Sequence, residues 1–194
     1  MAVPFFPASN VTGVVFDASV VAFLLGELQQ AIRVRRRGSV SSVRGELVFR
    51  VVFFAGILTL PLSLRLFPVA DIGSLPVFII GAAITWLGML VRWWSFLTLG
   101  QLFTTIVQTS PDQPIVDRGP YRWVRHPSYT GLVAAFLGFG LMLGNWIGML
   151  VSVGLVLAAV IYRLRGEERA LVEARGAAYL EYAKDRARLL PFIW

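Results

Sequence analysis

Apolar residues run in long stretches separated by short polar ones, and the stretches set the expected elements. The first covers about residues 14–32, with Asp17 near one end and Glu27, Gln29 and Gln30 near the other. The second, about 47–67, is long enough at about 1.5 Å per residue to cross a hydrocarbon core of roughly 30 Å, and Pro61 is expected to kink it. The third, about 75–99, holds Arg92 between Val91 and Trp93. An arginine there either snorkels to the interface or turns into a protein interior, and Trp93 and Trp94 are placed to mark an interfacial belt. Residues 100–128 form a polar interruption in which Pro111, Pro114 and Pro120 break any long helix. Two apolar segments follow, about 129–143 and 146–163, joined by Gly144 and Asn145 as a tight helical hairpin. Gly131, Ala134, Ala135 and Gly138 make a small-residue stripe suited to close helix packing. Beyond Arg163 both charge signs recur with helical periodicity, so residues 163–190 are expected to form an amphipathic helix.

The pattern predicts an all-α, multi-pass membrane protein with five transmembrane helices. A hydrophobic share of 57% and a mean hydropathy of +0.71 agree with it. The loops 33–46, 100–128 and 163–190 hold 15 of the 18 Lys and Arg residues and share one side of a five-span chain. The positive-inside rule makes that side cytoplasmic, with the N-terminus outside and the C-terminus, with the polar motif, inside. Residues 1–13 lack the charged start of a secretory signal, so the N-terminus is expected to be retained. The net charge of +7 sits in loop blocks rather than on a basic face interleaved with aromatics, which argues against nucleic acid. With no cysteine and one histidine, thiolate sites and multi-histidine metal centres are excluded, and no metal is expected.

The polar interruption ends in Gly119–Gly131, GPYRWVRHPSYTG, which carries that histidine. Pro127 is a favoured first helical residue, so His126 falls at the N-terminus of the fourth span, where free amides and the helix dipole favour an anion. Arg125 adds a charge able to grip a carboxylate with two hydrogen bonds. The same tripeptide would also serve as a plain cap facing lipid phosphates. Glu167 and Glu168 are about 100° apart on a helix, so they cannot point the same way. Glu168 shares the more apolar stripe with Leu164, Leu171, Val172 and Tyr179 and is expected to point inward, with Glu167 farther round.

Arg92, Ser95, Leu99-Gly100, Phe103, Val107-Gln108, Gly119, Tyr121, Arg125-His126-Pro127-Ser128-Tyr129, Gly131, Arg163, Glu167-Glu168, Gly176, the run Tyr179 to Tyr182 and Leu190 to Ile193, in this order, resemble the isoprenylcysteine carboxyl methyltransferase family. The resemblance covers roughly the C-terminal half. It implies one integral membrane methyltransferase domain over 1–194, with a cofactor region at about 100–128 and 163–194. It further implies S-adenosylmethionine as cofactor and a lipophilic, isoprenylcysteine-like acceptor that enters from the membrane lipid. Carried over, it assigns Gln108, Gly119, Tyr121, Arg125, His126, Tyr129, Glu167 and Glu168 to the cofactor, with Gln101 and Val107 beside them. Arg125, Arg163 and Glu168 are the expected catalytic residues. Where eukaryotic members that methylate prenylated proteins carry a histidine two residues beyond the position of Phe103, this chain has Thr105. Competing readings are a phospholipid or amine N-methyltransferase on the same scaffold, a sterol-reductase-like relative, and a non-catalytic membrane scaffold.

Overall fold

The computed structural model describes residues 10–35, 43–100 and 115–190. Within them the chain is all-helical: α1 Asn10–Arg35, α2 Val43–Leu66, a 3-10 turn Pro68–Ala70, α3 Leu75–Leu99, a second 3-10 turn Gly119–Arg122, α4 Pro127–Leu143, α5 Trp146–Arg175 and α6 Ala177–Lys184. Four helices, Val11–Ile32, Leu47–Leu66, Leu75–Leu99 and Trp146–Arg175, are long and apolar enough to cross a membrane, whereas Pro127–Leu143 is an apolar helix below that length.

Local sequence sets the ends. Ser74 caps α3 by accepting from the Val77 amide, and Asn145 caps α5 through Gly148 at 2.8 Å. Gly144 closes α4 at φ +69°, a left-handed turn that glycine adopts without strain. The Asn145 amide donates to the Phe67 carbonyl at 2.8 Å, tying the hairpin to the end of α2. Helix α2 continues through Pro61.

Helix α4 is the centre: α3 and α5 pack on it, α2 packs on α5, and α1 lies on α3. The small residues make the close approach possible. A methyl on Gly88 would meet the Gly131 carbonyl at 2.6 Å and the Ala135 amide at 2.7 Å, and one on Gly81 would meet Met142 N at 2.7 Å and the Gly138 carbonyl at 2.8 Å. On its other side α4 presents Phe136 and Phe139, met edge-on by Phe23 of α1 at 5.8 Å each, while Phe53 of α2 meets Phe136 at 5.5 Å.

The tail departs from the expected single helix over 163–190. No proline interrupts the chain between Arg163 and Arg175, so α5 runs on for 30 residues, about 45 Å. That exceeds a hydrocarbon core by about three turns, and those turns carry Glu167 and Glu168. Gly176, at φ +50°, stops α5. After α6 the chain returns beside the motif, with Val124 and Ala187 in a parallel bridge.

Candidate functional site

His126 is the N-cap residue of α4 and Pro127 its first residue. The turn is fixed from outside by the returning tail: Arg125 N donates to the Ala187 carbonyl at 2.8 Å, His126 N to the Arg188 carbonyl at 3.0 Å, and Thr130 Oγ1 to the Leu189 carbonyl at 2.5 Å. Tail and motif thus form one wall, and the end of α5 supplies the other.

Both glutamates face that wall. Glu168 Oε1 accepts from Arg125 Nη1 at 2.5 Å and Oε2 from Arg188 Nε at 3.0 Å, with His126 Nε2 3.5 Å from Oε1. Glu167 Oε1 accepts from Tyr129 Oη at 2.7 Å and Arg163 Nε at 3.1 Å, and its Oε2 lies 3.8 Å from His126 Nδ1. The roughly 100° between them sends them to different partners. Glu168 is the more buried, its side chain 13% exposed against 23% for Glu167, in line with the expectation that Glu168 points inward and Glu167 lies farther round, although both reach the motif. The reason is tertiary, since α5 meets the motif at its polar end, where the tail closes the far side.

Beyond the apolar span, Glu168 titrates below its ordinary value of 4.5. Burial works to raise it, but the adjacent imidazole of His126 and the charges of Arg125 and Arg188 more than offset that. Tyr179 on α6 is pushed up to about 12, by burial first and then by the Glu168 charge. Burial likewise raises Tyr121 and Tyr182. Tyr182 Oη donates to the Tyr121 carbonyl at 3.0 Å, and Gly119, at φ +58°, leaves room for Thr98 where a methyl would meet Oγ1 at 2.7 Å. Among the described residues, His126 Nε2 and Tyr179 Oη are buried polar atoms without a hydrogen-bond partner. Both flank Glu168.

Of the residues expected from sequence, Gly119, Tyr121, Arg125, His126, Tyr129, Arg163, Glu167 and Glu168 are gathered at this end of α4 and α5. Gln101, Thr105, Val107 and Gln108 lie outside the described residues. Arg188 is not among the expected residues. Its only sequence signal is a place beside Leu189 and Leu190 in the tail, and its partner Glu168 is 20 residues away. A cavity of about 290 Å³ lies to one side, lined by Ile115, Asp117, Glu181, Tyr182, Asp185 and Arg186, and it contains neither glutamate of the site.

Fold and site together define an all-helical membrane protein with a charged, partly dry site at one end of its central helices. Residues 80–173 match the model of the isoprenylcysteine carboxyl methyltransferase (ICMT) family. The chain is similar to the protein-S-isoprenylcysteine O-methyltransferases of Saccharomyces cerevisiae (32% identical over 117 residues, 59% of this chain and 49% of that protein) and Xenopus laevis (37% over 120 residues, 59% and 41%). Protein-S-isoprenylcysteine O-methyltransferase A of Arabidopsis thaliana is 32% identical over 108 residues, 55% of each chain. The chain spans about half the length of these curated relatives. The solved structure of the eukaryotic intramembrane Ras methyltransferase ICMT shares the fold, with a TM-score of 0.66 at 23% identity over 96% of this chain and 70% of that one.

Proposed function

We propose that this protein transfers a methyl group from S-adenosylmethionine to the carboxylate of a lipophilic, isoprenylcysteine-like acceptor drawn from the membrane. The observation that carries the reading is the joining of Arg125, His126 and Tyr129 to Glu167 and Glu168. It is supported by the family of residues 80–173 and by the activity for which the relatives are named.

The residues present fit the methyl donor. Two carboxylates offer negative charge to its ammonium and sulfonium groups, and Arg125, Arg163 and Arg188 offer partners for its carboxylate. His126 Nε2, which faces Glu168 Oε1 at 3.5 Å, and Tyr179 Oη make no hydrogen bond among the described residues and stand ready for further polar atoms. Gly119 and Tyr121 shape the approach, and Gln108 belongs to the same proposed set. When bound, S-adenosylmethionine supplies an electrophilic methyl group on sulfur.

The acceptor carboxylate, with a pKa near about 3.5, is already ionised at neutral pH, so no base has to remove a proton. The protein's task is to align, to strip water and to hold charge. Arg125 or Arg163 orients the acceptor carboxylate, each being held in place by its glutamate. Alignment of this kind is worth up to about 7–11 kcal/mol of barrier. Glu168 sits between Arg125 and Arg188 and remains ionised through neutral pH, as a donor-binding charge must.

The proposal extends to architecture: one domain over 1–194, five spans with the short α4 crossing beside α5, N-terminus outside, and site and C-terminus cytoplasmic. The test is a tritiated-methyl transfer assay in membranes with acetylfarnesylcysteine against phosphatidylethanolamine. A base-labile methyl ester on the former is expected. Label found only on the phospholipid would replace this reading with N-methylation, and no transfer to either would remove it.

A further inference from the structure

An ion pair outside the glutamate cluster joins two helices beside the turn that carries His126. Arg92 on α3 donates through Nε to Glu27 Oε1 at 2.5 Å and through Nη2 to Oε2 at 2.8 Å, a fork-on-fork pairing with α1. Its remaining arm, Nη1, donates to the backbone carbonyl of Ser128 at 2.8 Å, and the guanidinium lies over the Phe96 ring at 4.8 Å. Arg92 is 9% exposed. Ser128 belongs to the first turn of α4, between His126 and Tyr129.

Glycines on two helices make room for this arrangement. A methyl on Gly131 would meet Arg92 N at 2.8 Å and Cβ at 3.0 Å, and one on Gly26 would collide with the Trp93 indole. Helix α1 therefore approaches α3 closely beside Glu27, while its neighbours Leu24, Leu25 and Leu28 stay exposed. A second polar contact, Trp86 Nε1 to Ser19 Oγ at 3.1 Å, attaches α1 to α3 farther along.

Attachment alone does not call for a charge pair, because apolar packing of similar volume holds helices together without the desolvation cost. What the pair adds is direction. With two arms fixed by one carboxylate, the planar guanidinium has its third arm aimed at a single point. We propose that Glu27 is a positioning residue: through Arg92 it fixes the Ser128 carbonyl, and with it the turn from which His126 and Tyr129 reach Glu168 and Glu167. Glu27 lies outside residues 80–173, the part matched to the family. The consequence for turnover rests on the methyl-transfer reading, whereas the coupling to the turn does not.

The chain's one histidine makes the coupling directly readable, since His126 gives the only imidazole signals in the 194-residue chain labelled with 15N-histidine and held in lipid nanodiscs. The variants are Glu27→Gln, Arg92→Lys and, as a control that loosens α1 without touching Arg92, Ser19→Ala. Glu27→Gln and Arg92→Lys are expected to shift or broaden the His126 signals, with Ser19→Ala leaving them in place. Methyl-transfer kcat should fall roughly tenfold in the first two, with KM for acetylfarnesylcysteine within about twofold, as misalignment rather than lost binding requires. His126 signals that coincide with wild type in Glu27→Gln and Arg92→Lys overturn the inference, as does unchanged kcat against an active wild type. A wild-type protein that transfers no methyl group removes the proposed function alone, and the His126 signals then decide the positioning.

Discussion

Arg125 and Glu168, 43 residues apart, meet at 2.5 Å with the arginine 14% and the glutamate 13% exposed. The contact joins the N-terminus of α4 to the charged end of α5. Because Arg188 of the returning tail shares the same carboxylate, one side chain holds together three segments.

Glu168→Gln is expected to weaken binding of S-adenosylhomocysteine by roughly tenfold or more, equivalent to about 1.4 kcal/mol. Glu167→Gln should cost less, because among the described residues Glu167 has one arginine partner where Glu168 has two. Calorimetric titration of both variants in detergent checks the order, and equal losses would refute it.

Acid should reveal the same carboxylate. Glu168 has its folded pKa depressed below 4.5, so its contribution to stability is fully present above the unfolded value and is lost as pH falls through the folded one. The difference in melting temperature between wild type and Glu168→Gln should hold constant from about pH 7 down to about 5 and shrink below 4.5. A difference that grows on acidification would reverse the sign of the shift.

Arg188→Ala should release the tail from the site with little effect on global stability. Its side chain is 38% exposed, and pairs open to solvent contribute about 1 kcal/mol or less. Hydrogen exchange at residues 185–190 should quicken while amides of α4 keep their protection. Uniform protection in the variant would show that the backbone bridge to Arg125 and His126 holds the tail unaided.

Packing of α3 on α4 allows a sharper mechanical test. Gly88→Ala places a methyl against backbone atoms at 2.6 and 2.7 Å that cannot swing aside, whereas Gly154→Ala enters open space. The first should destabilise by about 1–3 kcal/mol and the second by almost nothing, read as melting temperatures in detergent.

The proposed sidedness can be read by labelling, since the chain has no cysteine of its own. Val69→Cys, at an 88% exposed position in the turn before α3, should react with an impermeant maleimide on intact cells. Lys184→Cys, at the end of α6, should react only after permeabilisation. The opposite pattern would invert the topology.

Much of this architecture is written locally. The third apolar run ends where α3 does, because Ser74 and Gly100 bracket it, and Gly144-Asn145 makes the hairpin because one residue takes the left-handed turn while the other caps α5. The small-residue stripe on α4 announces a close neighbour without saying which helix it is. Periodicity along one helix orients a side chain relative to that helix alone. It therefore cannot turn Glu167 toward Tyr129, choose the interior for Arg92 or give it Glu27 as a partner. Those outcomes depend on charges far apart in the chain meeting where water is scarce, 65 residues apart for Arg92 and Glu27 and 20 for Arg188 and Glu168. A lone buried charge is costly enough that the fold must bring its partner to it. Local residue order is enough to mark which stretches are apolar enough to span and where α3 and α4 stop. Which charges neutralise one another, and hence how the site is closed, is settled by the packing of α1 on α3 and of the tail on the start of α4.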